Sequence, residues 1–356
     1  MKDIINELSA GMRIVKEYVD SGKIPGACCG FVSDSGTYFD HYGYKSLIPV
    51  KSKNSISTIY DMASCTKVIS TTTITLQAIE NGLCSLRTPL SDILNDFPYR
   101  SVTIGNLLTH TSGICHDDKS YKNCNGKKEM WEFVINKPLE FEPGTSLVYS
   151  DFGYVVLGFA LEKLLGPLDV YAKEHIFDPL GMKDTMYNPK KHMVENRCAS
   201  TENTCDRGII CGDVHDGKAF RLGGVSGNAG LFSTVEDVSK FSEMLLNNGE
   251  LGNKRILTQS TCKLLKKNYT AGLTSSRTLG WIKKDKNTAM GDYYSDDCLY
   301  HTGFTGTSIY IDYERNCAVI LLSNRIHPSR DNQNIMDFRN KFLNEVLIAY
   351  DIKKGS

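Results

Sequence analysis

Ser64 and Lys67 stand three residues apart in the run DMASCTKVIS, Asp61 to Ser70, at a point where a helix begins. One helical turn brings positions i and i+3 to the same face, so the hydroxyl and the amine share one space. A serine hydroxyl is a poor nucleophile at neutral pH and needs a neighbouring base to take its proton as it attacks a carbonyl. Lysine fills that role only when uncharged, and at its ordinary pKa of ~10.4 fewer than about one in a thousand is neutral at pH 7. Burial or a cationic neighbour raises that fraction. The spacing by itself is cheap: Ser260 and Lys263 repeat it with no supporting residues nearby. A Tyr-x-Asn/Asp triplet is equally common here, beginning at Tyr18, Tyr38, Tyr121, Tyr149, Tyr294 and Tyr310.

The elements that position these residues follow from periodicity. Ile4, Ile5, Leu8, Met12, Val15 and Val19 recur at helical intervals before Pro25-Gly26 breaks the pattern. ACCGFVSDSGTYFDHYG then reads as a hairpin turning at Ser35-Gly36. Near the other end, LYHTGFTGTSIYIDYERNCAVILLSN supplies two more strands, followed by a helix over about 334–350. Between them lie LQAIENG, with a glycine after its last turn, and the amphipathic runs DFGYVVLGFALEKLLG and EDVSKFSEMLLNNG. The expected fold class is α+β: an antiparallel β-sheet flanked by helices, with a large, mostly helical inserted region. Residues 1–63 and 251–356 form the sheet part, residues 64–250 the helical part, and the active site falls at their junction.

At 356 residues the chain exceeds a single ordinary core, and its 41 basic and 41 acidic residues balance without a long run of one sign. That argues against nucleic acid or an anionic membrane as the main partner and favours a small ligand. No apolar stretch near the start is long enough for a leader or a membrane span, so the expected location is cytoplasmic. The twelve cysteines are scattered, which predicts free thiols. Cys198, Cys205 and Cys211, with His192 and His215 nearby, lack the paired C-x-x-C spacing of structural zinc, and no metal site is expected.

Order along the chain gives the short motifs their weight. Ser64-x-x-Lys67 is followed by EPGTSLVYSDFGYVVLG, Glu142 to Gly158, and then by HTGFTGTS, His301 to Ser308. This order resembles the serine β-lactamases and penicillin-binding proteins, which use S-x-x-K, a Ser/Tyr-x-Asn element and Lys-Thr-Gly on a strand. The tyrosine form is similar to the class C branch, which includes esterases and peptidases. IGNLLTHTSGI, FDPLGMKDT and GGVSGNAGLFSTVEDVSKF extend the resemblance over about residues 20–330.

The resemblance implies a β-lactamase/transpeptidase-like fold and a Ser64 acyl-enzyme, with neither metal nor organic cofactor. It implies that Tyr149 shares a proton network with Ser64 and Lys67, leaving open which of Lys67 and Tyr149 is the base. It places the oxyanion hole at the N–H groups of Ser64 and Phe304, and substrate contacts at Asp151, His301, Thr302 and Gly303. Asn106, His110 and Thr111 match a family element with a structural role, while His215 and the loop 223–230 lie where the cleft wall belongs.

Two positions depart from the pattern. Asp151 stands where asparagine is usual, and His301 replaces the lysine of Lys-Thr-Gly. A carboxylate cannot donate to a substrate carbonyl, but its charge favours the ammonium form of Lys67, which shifts the base role towards Tyr149. Histidine offers a positive charge only below about pH 6.5 unless shifted, which weakens carboxylate recognition on that strand. By analogy with His-x-Gly members, the expected function is an ester or amide hydrolase with esterase-like turnover first and slow β-lactamase activity second. A D-alanyl-D-alanine carboxypeptidase or aminopeptidase comes third. A penicillin-binding sensor that is acylated without turnover is the alternative from another class.

Overall fold

In a computed structural model, residues 7–285 and 290–355 are described. Ile4 and Ile5 of the expected first helix lie outside them; the described helix is Glu7–Asp20, with Leu8, Met12 and Val15 on its buried stripe. The strand Gly26–Ser33 is buried at seven of its eight positions, which is why GACCGFVS is small or apolar throughout rather than alternating. It pairs antiparallel with Gly36–Ser46 through the turn and with Cys317–Ser323, Ala27 lying opposite Ser323 and Cys28 opposite Leu322.

Those pairings place both ends of the chain in one six-stranded sheet. From one edge the order is Cys298–Thr302, Ser308–Asp312, Cys317–Ser323, Gly26–Ser33, Gly36–Ser46 and Ser52–Lys53. Neighbouring strands run antiparallel. One face carries Cys29, Phe31, Tyr310, Val319 and Leu321, covered by Glu7–Asp20 and the C-terminal helix Ile335–Gly355. The C-terminal helix runs five residues past the expected end at Tyr350. Lys353 and Lys354 in its last turn pair with Glu7 and Asp34, and basic residues there also complement the helix dipole.

The other face carries Cys28, Val32, Ile309, Ile311, Ala318 and Ile320. It is covered by Val235–Leu246, whose Val235, Val238 and Phe241 are fully buried. The sequence groups this helix with the helical middle, yet it packs directly on the sheet. The same core continues into the helix Asp151–Leu165 and the helical run that begins at Ala63. A small three-stranded sheet, with Leu231–Ser233 between Tyr60–Asp61 and Met186–Tyr187, anchors the segment leading into Ser64. The twelve cysteines are unpaired. Among the described residues no helix is long and apolar enough to cross a membrane.

Candidate active site

The segment around Ser64 is held in a conformation that its sequence does not favour. Ala63 has φ of 45°, in the left-handed region that costs a residue with a Cβ. Asp61 holds it there: one carboxylate oxygen accepts the Ala63 N–H at 2.8 Å and the other the His215 N–H at 2.7 Å. From Ala63 the chain forms a 3-10 turn, Ala63–Cys65, then a π-helical stretch, Lys67–Thr72, before regular helix resumes at Thr73. The tight first turn eclipses i and i+3 and brings the Lys67 Nζ to 3.0 Å from the Ser64 Oγ.

Lys67 is wholly buried, and its Nζ has two further partners, Asp151 Oδ1 at 2.7 Å and the Asn228 carbonyl at 2.9 Å. An ammonium has three N–H donors, and three acceptors surround it. Burial works against the charged form, but the Asp151 carboxylate and the Tyr149 phenol outweigh it and raise the Lys67 pKa above the ordinary lysine value. Asp151, whose side chain is 23% exposed, gives its second oxygen to Lys218 Nζ at 3.2 Å. Burial pushes its pKa up, yet Lys67 and Lys218 together hold it well below the ordinary carboxylate range. Asn228 reaches Lys67 because Gly227 lets the loop touch the helix Asp151–Leu165; a Cβ there would lie 2.1 Å from the Tyr154 carbonyl.

Tyr149 lies against this ammonium, its ring centroid 5.0 Å from the Lys67 Nζ. His110 fixes it from beneath, with ring centroids 4.3 Å apart. The His110 carbonyl accepts the Val148 N–H at 3.0 Å and its Nδ1 accepts the Ser150 N–H at 3.2 Å, so both neighbours of Tyr149 are tied to one residue. Asn106 closes a capping box with Thr103 and also donates to the Thr111 hydroxyl. This element therefore supports Tyr149 structurally.

The HTGFTGTS segment closes over Ser64 from the sheet edge. Thr305 and Thr307 donate their hydroxyls to the carbonyls of Asp61 and Met62, at 2.7 and 3.1 Å. Gly303 makes the approach possible: a Cβ would sit 2.1 Å from Thr307 Oγ1 and 2.6 Å from the Met62 carbonyl. The N–H groups of Ser64 and Phe304 have no acceptor among the described residues. Thr302 ends the strand, pairing with Ser308.

His301 is buried, and burial, with Arg277 and Lys67 adding to it, drives its pKa well below the ordinary histidine value. Its Nδ1 lies 3.0 Å from the Thr302 carbonyl, which fixes the proton on Nδ1 and leaves Nε2 as an acceptor with no partner among the described residues. Positive charge on this side comes from arginine instead. Arg277, 9% exposed, lies over the Tyr149 ring at 5.6 Å, and its Nε and Nη1 have no hydrogen-bond partner among the described residues. Arg325 and Arg339 line the same cavity of about 340 Å³, which also includes Ser64, Tyr149 and His301. A second cavity, of about 520 Å³, opens on the other side of Ser64 and Tyr149 towards Asp151, His215 and Lys218.

Ser64, Tyr149, Asp151, His301, Thr302, Gly303 and Phe304 thus line the two cavities, Lys67 is buried behind Ser64, and His215 and, from the loop 223–230, Ala229 line the larger one. Sequence reasoning missed Asp61, Lys218, Asn228 and Arg277. Asp61 alone had a local signal, as an acid two residues before a strained turn. The others come from distant segments, and Asn228 acts through its carbonyl, which any residue type supplies.

A nucleophile-bearing helix start facing a sheet-edge strand, with a buried ammonium between, defines a serine hydrolase of the β-lactamase and penicillin-binding-protein type. Comparison with known proteins agrees. The Beta-lactamase family model matches residues 12–339, and the chain belongs to that family. It is 31% identical over 340 residues to "N-acetylmuramyl-L-alanine amidase" of Bacillus subtilis (strain 168), covering 84% of this chain and 76% of that protein. It is 31% identical over 375 residues to "Putative D-alanyl-D-alanine carboxypeptidase" of Escherichia coli O157:H7, covering 92% of this chain and 85% of that one. Among solved structures, "EstCE1, a hydrolase with promiscuous acyltransferase activity" superimposes with a TM-score of 0.78 at 20% identity, over 96% of this chain and 98% of that one, a likeness of fold.

Proposed function

We propose that the protein turns over ester and amide substrates through an acyl-enzyme on Ser64, with Tyr149 as the base and Lys67 as a permanent ammonium. The observation that carries this reading is the set of oxygens around Lys67: its Nζ lies within 3.0 Å of Ser64 Oγ, Asp151 Oδ1 and the Asn228 carbonyl, and the carboxylate and the carbonyl can only accept, which suits an ammonium. In this reading Tyr149 acts as a phenolate beside the Lys67 ammonium, its ring centroid 5.0 Å from that Nζ, and takes the Ser64 proton as the Oγ–carbon bond forms. The resulting phenol returns that proton to the leaving alcohol or amine as the bond to it breaks. The N–H groups of Ser64 and Phe304 receive the developing oxyanion, each worth ~10²–10³ in rate. Water then repeats the sequence on the acyl group.

The arginines of the smaller cavity favour substrates with a carboxylate on the side of His301. A neutral His301 gives no charge to such a group, whereas Arg277 has N–H groups to spare. That observation raises the amide reading, with a carboxylate-bearing substrate, above its place in the order drawn from sequence, and the two relatives are named as an amidase and a carboxypeptidase. Ester turnover remains the simplest test activity. Stopped-flow acylation by p-nitrophenyl acetate tests the reading: Ser64→Ala abolishes it and Tyr149→Phe slows it ~10²–10⁴-fold. Acylation of Tyr149→Phe at the wild-type rate would remove Tyr149 as the base.

A further inference from the structure

Two cavities meet at Ser64, and they differ in the residues that line them. Arg277 lines the smaller and Lys218 the larger. Lys218 sits on the short helix Gly217–Arg221, its side chain only 10% exposed, with Nζ 5.0 Å from the Tyr121 ring centroid and 5.3 Å from that of Phe152. Its placement is built in. Asp216 caps the helix and accepts from Ala219 N–H at 2.8 Å and Asn228 Nδ2 at 2.9 Å, so Lys218 and Lys67 are tied to the same loop. Gly217 allows the helix against Tyr121, whose hydroxyl would lie 2.4 Å from a Cβ.

The charges make sense only together. Asp151 has both carboxylate oxygens occupied by lysines and no N–H to offer a substrate. Lys218 has one acceptor, Asp151 Oδ2, among the described residues, and N–H donors left over beside the cavity. A buried cation held by a carboxylate donates stronger hydrogen bonds than an amide in the same place.

We propose that Lys218 is a specificity-determining residue, its ammonium oriented by Asp151 so that it donates to an oxygen acceptor, a carboxylate or an amide carbonyl, on the acyl half of the substrate. Asp151 is then the holder of the donor rather than a substrate contact. This assignment rests on the acyl-enzyme reading above for its kinetic consequence, but not for the binding itself.

Four esters separate the possibilities: p-nitrophenyl acetate, p-nitrophenyl hemisuccinate, the p-nitrophenyl ester of N-acetylglycine, and 4-acetoxybenzoate, whose carboxylate is on the leaving group. In Lys218→Met, kcat/KM for the hemisuccinate or acetylglycine ester, divided by that for the acetate, falls roughly ten- to hundredfold. Loss with both esters indicates a site for either acceptor, and loss with one alone identifies a carboxylate or an amide site. The double variant Asp151→Asn with Lys218→Met, which leaves no unpaired carboxylate, shows the same change in ratio and guards against misfolding. Calorimetric titration of Ser64→Ala with N-acetylglycine and with monomethyl succinate reads binding without turnover, and Lys218→Met weakens one or both by a similar factor. Unchanged ratios and unchanged binding overturn the proposal, as does a fall confined to 4-acetoxybenzoate. A wild-type protein that forms no acyl-enzyme defeats the hydrolase reading, while the titration still decides Lys218.

Discussion

Replacing Asp151 by asparagine separates the two assignments of the general base. Point charges 2.7 Å apart attract by ~6 kcal/mol at an effective dielectric of ~20. The carboxylate is 23% exposed, so solvent takes up about half of this, leaving ~3 kcal/mol, or a fall of ~2 in the Lys67 pKa. Burial, the largest influence on Lys67 and one that opposes its charge, is then no longer offset, and Lys218 adds repulsion across the same gap. The Lys67 pKa therefore falls by that ~2, towards the accessible alkaline range. If Tyr149 is the base, acylation by Asp151→Asn loses rate relative to the wild type as pH rises through the lowered Lys67 pKa, because the Tyr149 oxygen loses the cation beside it. Stopped-flow acylation across that range, with ¹³C NMR of labelled lysine side chains, measures both quantities. An acylation rate that rises as Lys67 deprotonates would make Lys67 the base and refute the reasoning. An unmoved Lys67 pKa would refute the electrostatics. The stability sign follows too: raised Lys67 contributes fully below the unfolded lysine pKa of ~10.4 and fades as pH climbs through its folded value, whereas depressed Asp151 contributes above ~3.9 and fades as pH falls through its own. The variant loses both contributions near neutrality, ~3 kcal/mol, which lowers Tm by on the order of 5 °C.

Three further outcomes are expected. Gly303→Ala places a methyl 2.6 Å from the Met62 carbonyl, where rigid backbone cannot yield, so the strand end retreats from Ser64. Acylation falls by ~10²-fold or more through the Phe304 N–H, and calorimetry shows a lower Tm. Glu202, which accepts from Arg330 at 2.6 Å and contacts His215 at 2.9 Å, has its pKa lowered to about 2 although its burial acts the other way. Its contribution is present above the unfolded pKa of ~4.3 and lost between there and about 2, so Glu202→Gln flattens the acid limb of Tm against pH. Arg277→Met lowers kcat/KM for 4-acetoxybenzoate relative to phenyl acetate by roughly tenfold, and an unchanged ratio would remove the arginine from carboxylate recognition.

How far the sequence carries depends on which contacts are local. The hairpin at Ser35-Gly36 and the long helices are legible because local pattern and turn residues mark them, whereas the segment from Cys298 to Ser323, read as two strands, forms three, Cys298–Thr302, Ser308–Asp312 and Cys317–Ser323, each too short to show a clear period. The serine, lysine, tyrosine and His-Thr-Gly elements are legible because their order, rather than any one spacing, is improbable. What escaped is set by the chain folding back on itself. Arg277 lies in RTLGWIKK, a stretch with no distinguishing pattern, and becomes significant only against Tyr149. Lys218 is one surface-type residue among many until its Nζ meets Asp151. The left-handed Ala63 and the π-helical turn after it contradict local preference, and Asp61, Thr305 and Thr307 hold that segment from outside the helix. His301 reads from sequence as a conditional cation; in the fold, burial and Arg277 make it a neutral acceptor.

The most direct test of the account is intact-protein and peptide mass spectrometry after rapid acid quench from p-nitrophenyl acetate. The account predicts one acetyl group per chain, located on Ser64 within the peptide that contains DMASCTK, absent from Ser64→Ala and decaying as product release continues. An acetyl group on another residue, or turnover without any covalent intermediate in the quench series, would contradict it.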